Sequence, residues 1–114
     1  MAFDEGTAQR LRETYAAVED LSPTRVQEKK MFGGLAVMVN GHMSCGVVQD
    51  ELMVRVGPQL YERAMARPHA REMDFTGRSL KGFVYVAVDG FESDDDLRAW
   101  VDLSLEFVLS LEPK

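Results

Sequence analysis

Few side chains in this 114-residue sequence could take part in covalent or metal chemistry. Cys45 is the one thiol, set mid-strand between Ser44 and Gly46, with no second cysteine for a redox pair or a zinc site. His69 and Asp74 could join it as base and carboxylate. A strand cysteine between small residues more often packs as a small hydrophobe. His42 and His69 are not spaced as a ligand pair, and His42, just after a turn, is expected on an exposed hairpin. Asp94-Asp95-Asp96 could attract Mg²⁺ or Ca²⁺, but carboxylates at a helix start serve as caps and dipole partners. Gly33-Gly34 is followed by neither Gly-x-Gly-x-x-Gly nor Gly-Lys-Ser/Thr, so no phosphate cradle forms there. The sequence therefore predicts no catalytic residue, no metal site and no cofactor.

Recognition chemistry is better represented. Residues 67–82 carry Arg67, His69, Arg71, Arg78 and Lys81 with Glu72 and Asp74, beside a strand bearing Arg55. Arginine forks match carboxylates and phosphates bidentately, so an acidic protein segment or an anionic ligand would fit. The plain alternative is a salt-bridged connector that only fixes its own loop. The length of the stretch favours binding, because long loops in compact domains tend to carry function. The expected binding residues are Arg55, Arg67, His69, Arg71, Asp74, Arg78 and Lys81.

These groups need a scaffold, and its pattern is readable. Ala8, Leu11, Tyr15 and Val18 recur at helical spacing, giving an amphipathic helix from about Asp4 to Leu21, capped by Asp4 or Thr7 and stopped by Ser22-Pro23. A strand over 26–39 follows, with Gly33-Gly34 read as a bend or bulge. Asn40-Gly41 predicts a two-residue type I′ hairpin into a second strand, Met43 to Val48. A third runs from Leu52 to Val56. Residues 35–39 are apolar on both faces, as in a central strand or a sheet that packs against another chain. Pro58 opens a second helix, which Arg67-Pro68 ends. Residues 69–82 look irregular, with a short strand near 73–75, and Phe83 to Val88 form a strand. Ser93 caps the last helix, with three aspartates in its first turn. Its apolar positions cover more than half the circumference, an arc wide enough to touch the first helix or a second subunit.

Hairpins with helices packed to one side define an α+β class, here a two-layer α-β(3)-α-β(2)-α domain over residues 1–114. The composition, 46% hydrophobic and 28% charged, supports a true core. No apolar run suits a membrane span, and no basic n-region precedes an apolar stretch. With one cysteine, a reducing cytoplasmic compartment is expected. The net charge of −6 argues against direct nucleic-acid binding. Charge is uneven: residues 25–81 hold nine Lys/Arg against six Asp/Glu, and the flanks hold four against thirteen. Solvated helix faces at both ends account for the acidic flanks.

Lys29-Lys30-Met31-Phe32-Gly33-Gly34, an apolar strand and the turn Val39-Asn40-Gly41 resemble the opening of the TfoX/Sxy N-terminal domain. Leu52-Met53-Val54-Arg55-Val56 is similar to that family's next strand. Arg67 to Arg78, with Lys81-Gly82-Phe83-Val84-Tyr85-Val86, resembles a subgroup of single-domain members. The motif positions Met31, Phe32, Gly33, Gly34 and Gly82 would be structural. The resemblance implies an antiparallel sheet with flanking helices, similar to secretion chaperones. It also implies regulation of natural competence, in cooperation with a cyclic-AMP-dependent transcription activator. The second helical domain of the named members does not follow in these residues, so a stand-alone domain is expected, with its competence role open. The first expectation is a regulatory protein-interaction module whose partner is a protein, a transcription regulator among the candidates. The other is a small anionic-ligand binder or an unrecognised enzyme using loop 67–82 with Cys45. The last helix leaves room for a homodimer.

Overall fold

The computed structural model describes residues 3–19, 21–31, 33–75 and 78–113, with backbone alone over 73–75 and 78–81. Helix α1 (Glu5–Ala16) starts where the Asp4 carboxylate accepts the Thr7 amide at 2.9 Å and the Thr7 hydroxyl at 2.7 Å. This local pair holds the Asp4 carboxyl below its usual pKa. The helix stops at Ala16, short of the expected Leu21, and a 3-10 turn at Pro23–Arg25 leads into the sheet.

Four strands follow: β1 (Val26–Met31), β2 (Gly34–Val39), β3 (His42–Val48) and β4 (Glu51–Arg55). Helix α2 (Gly57–Met65), the hairpin β5 (Ala70–Phe75) and β6 (Arg78–Val86), and helix α3 (Asp94–Val108) complete the chain. All six strands form one antiparallel sheet in the order β1-β2-β3-β4-β6-β5. The α+β class holds. No described helix is long and apolar enough to cross a membrane.

Two strand readings change. Residues 26–39 are two strands, because Gly33-Gly34 is a reversal: Gly33 takes φ +75° and Met31 pairs with Gly34. A Cβ on Gly34 would run into the Val47 carbonyl, so only glycine lets β2 begin this close to β3. Phe32 lies outside the described residues. The true bulge in this ladder is at Ser44: Val37 pairs with Cys45 and Met38 with Met43, leaving Ser44 as the extra residue. Residues 70–75 and 78–82 are strand, not irregular. Their polarity hid this because β5 is an edge strand whose Arg71 and Glu72 stand in solvent.

Asn40 and Gly41 take φ of 55° and 86°, the conformation of a type I′ turn. Ser93 Oγ accepts the Asp96 amide at 3.0 Å, capping α3. The wide apolar arc of α3 is used within the chain: Leu97, Trp100, Val101, Leu103, Leu105 and Val108 are buried, and the helix contacts α1, α2, β3 and β4. Leu109 alone on this arc is left 45% exposed among the large apolar residues.

Candidate functional site

Alternation along each strand sorts the apolar residues onto two faces. Val37, Val39, Cys45, Leu52, Val54, Val84 and Val86 pack with Leu11 and Tyr15 of α1, Ala64 of α2 and the buried face of α3. The intervening positions form a second cluster: Ala36, Met43 and Met53, with Met31, Met38, Val48, Phe83 and Tyr85 around them. Every member of that second cluster is a strand residue. Among the described residues no helix side chain joins it, with Phe107 of α3 reaching Arg55 at its border, so the sheet has one face under helices and one lined by its own long side chains.

Met53 is fully buried in this bare face because it lies over Gly46, its partner on β3. A Cβ on Gly46 would sit 2.7 Å from the Met53 methyl and 2.7 Å from the Leu35 carbonyl. Four of the seven methionines therefore line one sheet face. Their unbranched thioethers adapt to whatever shape lies against them.

Cations border this floor. Lys29, opposite Ala36 in the ladder, is exposed on β1. Arg55, opposite Phe83, sets its guanidinium 5.6 Å from the Phe83 ring and 5.3 Å from that of Phe107. Partial burial there lowers the Arg55 pKa. Arg71, opposite Tyr85, lies 4.8 Å over that ring and grips Glu51 bidentately at 2.5 Å per bond. The Glu51 carboxylate raises the Arg71 pKa.

The seven residues named from sequence are thus divided. Arg55 and Arg71 belong to the bare face. Arg67 is instead stacked 4.0 Å from the Trp100 ring, where burial lowers its pKa against the opposing pull of Asp96. His69, at φ +70°, shares with it a cavity of about 210 Å³ that Asp89 and Asp96 also line. The side chains of Asp74, Arg78 and Lys81 lie outside the described ones; the backbone of Asp74 runs in β5 and those of Arg78 and Lys81 in β6. Gly82, φ +91°, abuts Gly57 beneath the end of β4. Met31 joins the methionine floor. What sequence reasoning passed over was Met38, Met43, Met53, Phe83 and Tyr85. Their signal was the double-faced apolarity of 35–39 together with the methionine content.

Cys45 is sealed in the helix-side core, and burial pushes its thiol up to about 11. The Arg67–His69 cavity does not include it. His42 is half-buried, with Nε2 2.7 Å from the Glu112 carbonyl oxygen. Among the described residues, no group of three or more His, Cys, Asp or Glu side chains could hold a metal ion. An apolar groove of about 200 Å³ between α1 and β1 is lined by the Arg12–Glu28 pair.

A six-stranded antiparallel sheet with helices on one side and a methionine-lined, cation-bordered face on the other defines an α+β domain. The family model for the TfoX N-terminal domain matches residues 17–108, and the chain belongs to that family. No curated protein matches it.

Proposed function

We propose that this chain is a regulatory protein-interaction domain and that the bare sheet face is where its partner docks. The observation that carries the reading is the cluster of Met31, Ala36, Met38, Met43, Val48, Met53, Phe83 and Tyr85, composed of strand residues alone. A contiguous apolar patch with a polar rim is the usual anatomy of a docking surface. Family membership supports a regulatory role of the kind played in the control of DNA uptake, with a transcription regulator as the partner to look for first. The net charge of −6 speaks for a protein partner over nucleic acid.

Capture from native lysate would compare the wild type with Met38→Glu and with Leu109→Glu on the opposite side. A stoichiometric protein lost only with Met38→Glu supports the reading. A partner retained by Met38→Glu and lost by Leu109→Glu moves the surface to α3. The small anionic ligand is the weaker reading, because Asp89 and Asp96 share the cavity of Arg67 and His69 and would repel it.

A further inference from the structure

We infer that the occupant of the bare sheet face is an acidic amphipathic helix. The inference rests on that face being the docking surface, and three observations select the occupant.

The first is the state of the backbone. Within the sheet, N–H and C=O groups point along the plane and are engaged in the ladders between β1, β2, β3, β4 and β6. A segment lying on the face finds only side chains and must satisfy its own backbone. A helix does this and a lone strand does not.

The second is size. From β1 to β6 the floor crosses four inter-strand gaps, roughly 19 Å at about 4.8 Å each. A helix of about 13 residues covers that length at 1.5 Å per residue. Leucine-type side chains at i, i+3, i+4 and i+7 would meet the methionines.

The third is charge. Among the described side chains the face presents Lys29, Arg55 and Arg71 with one carboxylate, Glu51, although the chain as a whole is at −6. A second copy docked about a two-fold axis would set this cationic patch against itself, and like charges across an interface are penalised. Asp or Glu flanking an apolar stripe would instead meet Lys29 and Arg55. Single-stranded nucleic acid would need free ring faces for stacking, and here guanidinium groups of Arg55 and Arg71 already lie against Phe83 and Tyr85.

The test uses the full chain with ¹³C-methyl methionine and three synthetic helical peptides of about 16 residues. All three carry one leucine stripe; the flanking positions are Glu, Gln or Lys. The Glu peptide should move the Met31, Met38, Met43 and Met53 signals, leave Met65 in place, and bind roughly tenfold more tightly than the Lys peptide. Lys29→Glu with Arg55→Glu should invert that order while a thermal melt confirms folding; Lys29→Glu alone, at an exposed site, should shift the order partway. Equal binding of all three peptides at the same methionines would leave the docking surface standing and overturn the acidic class. No response at those methionines from any peptide would overturn both. Concentration-dependent self-association lost with Met38→Glu, or a single-stranded oligonucleotide moving the same signals, would replace the helix with a second copy or with nucleic acid.

Discussion

The phenol of Tyr15 on α1 and the hydroxyl of Ser44 on β3 are hydrogen-bonded at 2.6 Å in the buried core. Ser44 is the extra residue of the β-bulge, without a Cα partner on β2. Ser104 of α3 meets it: its Oγ donates to the Ser44 carbonyl at 3.0 Å and lies 2.8 Å from Ser44 Oγ. One irregular residue thereby ties two helices to the sheet.

Removing members of this chain should destabilise the domain unequally. Ser104→Ala removes the hydroxyl that donates to the Ser44 carbonyl and pairs with Ser44 Oγ, and should cost about 1–3 kcal/mol, the range for buried polar groups that lose a hydrogen bond. Tyr15→Phe keeps the Ser44–Ser104 pair and should cost about 1 kcal/mol. Urea unfolding of both variants would check the order. A smaller loss for Ser104→Ala than for Tyr15→Phe would contradict the account.

Alkaline pH should weaken the fold. Burial raises the Cys45 thiol to about 11 from an ordinary 9.0, and raises the Tyr15 phenol well above its usual 10.0, with the nearby Cys45 adding to the effect. Both groups are neutral when protonated, so the folded state holds protons that the unfolded chain has released. Their contribution is complete below pH 9 and falls as pH rises through 11. A melting temperature followed from pH 7 to pH 11 should decline above 9, less steeply in Cys45→Ala. In the native protein at pH 8, Cys45 should react with a thiol reagent only as fast as the protein opens.

Two substitutions on the bare face should differ in kind. Gly46→Ala places a methyl against the Leu35 carbonyl and the Met53 methyl, and the overpacking should cost about 1–3 kcal/mol. Arg71→Ala removes an exposed pair with Glu51 and should cost under about 1 kcal/mol. Thermal melts of the two variants would separate a packing position from a surface one. An Arg71→Ala loss equal to that of Gly46→Ala would mean that the Arg71–Tyr85–Glu51 arrangement holds the sheet together.

The local structure was legible wherever it depends on neighbours in the chain. Asp4 and Ser93 cap their helices, Pro58 sits in the first turn of α2, and Asn40-Gly41 makes its hairpin. Each outcome is fixed by steric or hydrogen-bonding preferences within four residues. Gly33-Gly34 was ambiguous because glycine serves a bulge and a reversal equally; the approach of Val47 to Gly34, thirteen residues away, decides it. Residues 69–75 read as a loop because β5 is an edge strand whose Arg71 and Glu72 are exposed, so its sequence carries no apolar alternation.

By itself the sequence determined the class, the helix starts, the tight hairpin and the burial of Cys45, all governed by short-range chemistry and composition. Tertiary structure decided that Arg67 goes to Trp100 while Arg55 and Arg71 go to the sheet. It also decided that methionines from β1, β2, β3 and β4 meet on one face. Strand order and register set those neighbours, and they arise from long-range pairing that no local window of residues contains.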